Sequence, residues 1–510
     1  FKHDLIRDVA YETLPRAERR SLHGQAVDWI ERVGGDRAEE LLDLLAHHAV
    51  QADQPERALD YLSRAAERAR RAAAHREEAA LLAQALGIAE TQGDRDLVSE
   101  LHARRGRAFA YLATWAAARP ELEAALAGLS AERRERRAEV LGDLAMVCFW
   151  SLDTPAVRQH ATEALALAEE LGRGDLATAA MGWLAGAQGA DGNVQACLAE
   201  YERAIDRARQ LGIPFAPALM QFSLQLYWTG QLERAAEQSR EAVQAARQVN
   251  DTSIIMYALP HHGLALAASG RYDEAIRVFE EARRFGREHG IEPLLARSIA
   301  MSAGLHLDLF DFVAAEALQE EARALARSHN FPPPVVSAGI DLLLNLARRR
   351  EVGRAEGLLE EVAESAATAA GWHGWLWKLR LAEARAEIAL ARGDWEEALR
   401  WAAEAIELSR SKLRVKYEAL GLGTRAQALA ALGRTKEAIA DLQRAVELAR
   451  PVGDPAMFLR PATALLAMDG DDALASEARA AAKRISAAVP DPEMRRRFEE
   501  AEPMRRLMKA

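Results

Sequence analysis

The sequence predicts an all-α solenoid, a right-handed superhelix of antiparallel helix pairs, and three observations carry that prediction. A small residue recurs about every forty positions, at Ala80, Ala117, Ala156, Cys197, Ala235, Ala275, Ala315, Ala355, Ala398 and Ala438. A second small residue follows seven positions later at Ala124, Ala204, Ala242, Ala282, Ala322, Ala405 and Ala445, with Gly87, Glu163 and Val362 as variants. Two small side chains two turns apart on one face let a neighbouring helix approach closely. Finally, half of the 510 residues are hydrophobic but Ala and Leu carry that share, and strand-forming runs of Val, Ile and Thr are nearly absent. Repetition at such a period marks helix pairs that stack on their neighbours.

The elements follow in order. Residues 1–14 read as a short amphipathic helix. Pro15 suits the start of a second helix over about 16–32, with Leu22, Ala26, Trp29, Ile30 and Val33 as its apolar stripe and Gly34-Gly35 as its stop. Residues 53–74 and 75–91 form the first helix pair, A then B. Pairs continue to about residue 450, and Pro214, Pro293, Pro332, Pro333, Pro334, Pro451 and Pro455 fall where turns between helices belong. Pro260 sits inside an expected helix A and predicts a kink there. Past Pro455 the spacing predicts a helix to about 468, another over 472–488 and a short one after Pro492. These read as a cap over the open end of the core. The expected organisation is a junction over 1–50, an array of about ten repeats over 51–450 and a cap over 451–510.

The helix-opening phrases resemble the tetratricopeptide repeat. Gly270, Tyr272, Ala275, Phe279 and Ala282 match every element of its motif, and Gly393, Trp395, Ala398 and Ala405 match all but the large residue, which is Ala402 here. The resemblance spans roughly residues 52–450, with repeats longer than that family's usual unit. A second resemblance covers the junction. Phe1, His3, Leu5, Ala10, Tyr11, Leu14, Arg19 or Arg20, Leu22-His23, Leu45-Ala46-His47-His48, Ala58, Tyr61 and Ala65-Ala66 are similar to the segment joining ATPase module to repeats in bacterial signal-transduction ATPases. Class III adenylate or guanylate cyclases with an internal ATPase, and large LuxR-type ATP-binding regulators, share that layout. The resemblance implies an ATPase module in cis, upstream of Phe1.

Composition and motifs exclude several function classes. The formal net charge of −11 argues against a general nucleic-acid binder, and Arg495-Arg496-Arg497 reads as a solvated helix face. No run of eighteen uncharged apolar residues exists, so no membrane span is expected, and a cytoplasmic location is. Phosphate-loop, dinucleotide, zinc-protease, paired-cysteine and nucleophile-elbow motifs are missing, so we expect no catalysis, no cofactor and no ATP binding within the chain. Cys148 and Cys197 read as core residues. His47-His48 and His261-His262 are adjacent pairs, and neighbours on a helix point about 100° apart, so neither pair is expected to chelate a metal.

In tetratricopeptide arrays helix A lines the concave groove. Carried onto expected helices A at 216–229 and 256–269, this makes Gln221, Gln225, Trp228, Tyr257 and His261 candidate groove residues. Trp372 and Trp375, in a cluster of three indoles with Trp377, are further candidates. Such aromatics either stack on a flat ligand or fill gaps between helices. The expected function is a sensor that binds a protein or small-molecule inducer in the groove and passes its state to the upstream ATPase. The alternative is a free-standing adaptor that binds peptide segments of partner proteins. Neither membrane nor direct nucleic-acid contact is expected.

Overall fold

A computed structural model describes residues 11–509. Among them run twenty-six α-helices and one short 3-10 helix, Gly35–Leu41, with no strand. The helix expected over 1–14 falls mostly outside the described residues. Backbone contacts divide the chain into two compact units, Phe1–Ser151 and Leu152–Ala510, so the division falls inside the stretch that reads as one array in sequence.

Each turn into a helix B is built the same way. One residue takes the left-handed conformation, and the residue five positions later is buried in the helix that follows. Gly192, Gly230, Gly270, Gly393 and Gly433 supply the turn ahead of Cys197, Ala235, Ala275, Ala398 and Ala438, all of them fully buried. Elsewhere non-glycine residues accept the strain: Ala113 has φ 56°, Leu152 62°, Phe310 60° and Arg350 62°. Without a glycine as marker, the first three assignments of the series slip by one or two residues. The buried positions are Glu78, Ala118 and Val157, whereas Ala80 is exposed and Ala117 and Ala156 are half-buried. The partner positions move with them, from Ala124 to Ala125 and from Glu163 to Ala164.

The first unit buries Val27, Ile30, Leu42, Leu45, Tyr61, Leu62, Leu82 and Ala85 in one core. Its Arg16–Gly34 helix buries Ile30 of the expected stripe but not the stripe as a whole. Leu22, Trp29 and Val33 are exposed, and Val27 and Ile30 face inward. Residues 22, 29 and 33 lie on one helix face, and the core packs against the other.

In the second unit the helices A from Ala216–Trp228 to Pro455–Leu466 alternate with helices B. The Thr252–Ala268 helix runs unbroken through Pro260, starting at an Asp251 cap that accepts from the Ile254 N–H. The cap helices Pro455–Leu466, Asp472–Ala488 and Pro492–Glu500 lie where the spacing places them, and Pro451 sits inside the last turn of Thr435–Val452 rather than in a loop. These helices also pack sideways. Leu266, Tyr272, Ala275 and Phe279 share one apolar core with Phe458, Leu474, Ile485 and Phe498, so repeats far apart in sequence meet.

Ala275 is fully buried in that shared core, beside Phe279. Ala275→Leu should overpack it at a cost of about 1–3 kcal/mol. Thermal unfolding should show a clearly lower Tm, and an unchanged Tm would contradict the register.

Candidate functional site

Sideways packing forms a partly open cavity of about 200 Å³ within the second unit. Seven consecutive helices A, from Ala216–Trp228 to Pro455–Leu466, supply most of its wall. Cross-turn contacts brace it. The Trp375 indole N–H donates to the Gly189 carbonyl at 3.0 Å, across 186 residues of chain. Lys412 donates to the Gly192 carbonyl, Arg460 to the Leu307 carbonyl, and Arg497 pairs with Asp311.

Five cationic side chains line this cavity: Arg297, Arg348, Arg380, Arg414 and Lys416. Three carboxylates line it with them, Asp308, Asp341 and Asp454. Arg380 donates to Asp341 Oδ1 at 2.5 Å and, through Nε, to the Tyr417 hydroxyl at 2.9 Å. Lys416 pairs with Asp308, and Arg348 grips Glu387 at 2.6 Å in the adjoining 760 Å³ cleft. In each of these pairs the carboxylate outweighs burial and holds the cation's pKa above its ordinary value.

Arg297 and Arg414 differ, because neither forms a salt bridge among the described residues. The Arg297 guanidinium lies over the Tyr257 ring at 4.9 Å and donates through Nη2 to His261 Nε2 at 2.7 Å. That histidine is neutral, since burial pushes its pKa well below the ordinary value. Its Nδ1–H donates to the Met220 carbonyl at 3.0 Å, which leaves Nε2 as the acceptor Arg297 needs. Arg414 lies over Trp228 at 4.6 Å and Tyr417 at 5.4 Å. Burial lowers the pKa of both arginines to about 10, which still leaves them charged at neutral pH. Beside them His373 is sandwiched between Trp372 at 4.5 Å and Trp377 at 4.3 Å, and burial lowers its pKa to about 3.

The candidate residues separate into two layers. Trp228 and Trp372 line the cavity. Gln221, Gln225, Tyr257 and His261 are buried behind the wall, where Tyr257 and His261 hold Arg297 and Gln225 packs near Gly189 and Cys197. Trp375 is a cross-turn strut. From the Thr252–Ala268 helix it is Leu264, Ala267 and Ala268, one and two turns further on, that reach the cavity. Trp228 also packs edge-on against Trp375, so Trp228→Ala would remove packing as well as a cavity wall. Sequence reasoning missed Arg297, Arg380, Arg414 and Lys416.

In the first unit a third histidine, distant in sequence, joins the His47-His48 pair. His23, from the Arg16–Gly34 helix, reaches His47 and His48, and donor atoms of all three lie within 4.8 Å of one another. His23 Nδ1 and His48 Nδ1 are 2.7 Å apart, and the Tyr11 hydroxyl lies 2.9 Å from His23 Nε2. Among the described residues this is the group able to hold a metal ion.

Glu383, fully buried beside the cavity wall, is kept protonated at neutral pH. Burial and then Glu387 raise its pKa to about 8, while Thr424 donates to Oε1 at 2.7 Å. The folded pKa exceeds the unfolded value of about 4.5, so folding takes up a proton and this group destabilises the fold progressively as pH rises from about 4.5 to 8. Glu383→Gln removes that term. The Tm advantage of the variant should be small near pH 5 and grow to a plateau above pH 8 in thermal melts. A gap independent of pH would contradict the assignment.

Comparison with known proteins places this architecture. No curated protein matches the sequence. A Rap protein crystallised with competence and sporulation factor is 14% identical, with a TM-score of 0.54 over 69% of this chain and 98% of that chain. The apo quorum sensor NprR from B. thuringiensis is also 14% identical, with a TM-score of 0.43 over 66% of this chain and 97% of that one. The Rap likeness establishes a shared helical-repeat fold. The family model described as the MalT-like TPR region matches residues 138–468. Since that match takes in the greater part of the chain, this protein belongs to the family of MalT-like TPR regions.

Proposed function

We propose that this chain is a ligand-binding regulatory module whose effector occupies the cavity of the second unit. The observation that carries the reading is the cavity itself: it is a partly open concavity, walled by Trp228, Trp372 and Trp377, and lined by polar groups without partners. The junction residues Tyr11, Leu14, Leu22-His23 and Leu45-Ala46-His47-His48 support the finer proposal that binding is relayed to an ATPase module in cis, of the cyclase-linked or LuxR-type regulator layout. A phosphate-loop motif encoded upstream of Phe1 would support that relay, and a start codon immediately before it would support the adaptor reading.

Gly304 gives a direct test. It lines the cavity, and a Cβ built on it meets open space. Gly304→Phe should therefore fill the cavity while the helix persists. In a thermal-shift screen of small molecules, compounds that stabilise the parent protein should lose most of their effect on the variant. Equal shifts in both proteins would place the site elsewhere and contradict the proposal.

A further inference from the structure

The groups without partners around the cavity share one chemical character. Arg297 Nη1, Arg414 Nε, Trp372 Nε1 and the Tyr272 hydroxyl are all buried atoms without a hydrogen-bond partner among the described residues, and all four side chains line the cavity. Each is a donor, and only the hydroxyl can also accept. His373 Nδ1, also without a partner, can donate or accept. No carboxylate oxygen of Asp308, Asp341 or Asp454 is in that position. Arg414, Trp372 and Tyr272 are only 7%, 8% and 2% exposed, so bulk water does not easily satisfy them.

Charge points the same way. Five cations face three carboxylates, and Glu387 answers Arg348 from the adjoining cleft, so the lining keeps an excess of one positive charge in a chain whose net charge is −11. Burying a guanidinium without a carboxylate is costly unless something of opposite charge joins it. Aromatic rings cover one face of Arg297 and of Arg414, which fixes each guanidinium plane and leaves its N–H edge for hydrogen bonding.

We propose that the cavity takes a small oxyanion, a carboxylate or phosphate monoester on a flat apolar body of about a dozen heavy atoms, its charge held by Arg297 and Arg414. The inference rests on the reading of this cavity as the binding site. The anionic head accepts from the two guanidinium edges and the Trp372 indole N–H. The body lies against Trp228, Leu376 and Trp377. The 200 Å³ volume suits a small molecule rather than a folded partner.

The test uses the full chain and three probes of similar shape: phenylacetate, phenyl phosphate and neutral 2-phenylethanol. Calorimetry and indole fluorescence should show at least one anion binding about tenfold or more tightly than the alcohol. Binding of phenylacetate alone assigns a carboxylate ligand, and binding of phenyl phosphate alone a phosphate. Arg414→Gln and Arg297→Gln should each weaken the anion about tenfold or more and leave the alcohol unaffected. Arg414→Met should lose anion binding without lowering the Tm of the unliganded protein, because it removes an unpaired buried charge. Equal binding of alcohol and anions would overturn the oxyanion assignment while leaving the cavity as the site. No binding of either anion at millimolar concentration, or anion binding indifferent to both arginines, would overturn it as well. A Tm that falls in Arg414→Met would make Arg414 a packing residue and would also count against the proposal.

Discussion

Everything in the second unit depends on turns of distant repeats pressing against one another. Gly192, Gly230 and Gly270 each open a helix B, and each takes the left-handed conformation, at φ 79°, 79° and 76°. At the same three positions a Cβ would lie 2.3 Å from the Lys412 ammonium, 2.8 Å from Val452 and 3.3 Å from Pro455. Glycine serves two needs there, backbone conformation and close approach. At Phe310 and Arg350 the same left-handed turn tolerates a side chain. Closure through these glycines brings Leu266, Tyr272 and Phe279 against the C-terminal helices, and it narrows the groove into a partly open cavity.

Closure has an electrostatic consequence. The inner faces of helices A carry charge, and enclosing them forces each charge to find a partner. Asp341, Asp308 and Glu387 answer Arg380, Lys416 and Arg348. Glu383 answers by staying protonated, and His261 and His373 by staying neutral. Arg297, Arg414 and Arg460 rest on Tyr257, Trp228 and Phe310 instead, and burial lowers the pKa of each to about 10. A fold selected for stability alone would replace such groups with apolar ones. Of the cations without a carboxylate, Arg297 and Arg414 line the cavity, and they are a further reason for assigning it a ligand.

Much of the fold was legible because its signal is periodic. Small residues at Ala235, Ala275, Ala315 and Ala438 report a local requirement, the close approach of adjacent helices, and all are fully buried. The register slipped at Ala80, Ala117 and Ala156, where the left-handed turn residues are Ala73, Ala113 and Leu152. It held at Ala315 and Ala355, although Phe310 and Arg350 make those turns, because the forty-residue step from the glycine-marked Ala275 carries through them. The site was legible only in part. Trp228 and Trp372 stood out as aromatics on expected helices A. Arg297 did not, although Tyr257, Arg297, Ser337, Arg380 and Leu420 each stand thirteen residues before a left-handed turn residue, at Gly270, Phe310, Arg350, Gly393 and Gly433. That shared register, read down the repeats, would have placed arginines on the inner face. Nothing comparable announces the contacts of Trp375 with Gly189 or Lys412 with Gly192, which join residues 186 and 220 apart.

The second unit closes on itself and so shapes the cavity. That closure is tested most directly by a distance between the two surfaces it brings together. Arg284 and Lys483 are exposed positions on the Tyr272–Glu288 and Asp472–Ala488 helices, and Cys148 and Cys197 are buried and should resist labelling. Spin labels on Arg284→Cys and Lys483→Cys, read by double electron–electron resonance, should give one narrow, short distance distribution. A broad distribution extending to the separations of an open solenoid would contradict closure, and with it the cavity.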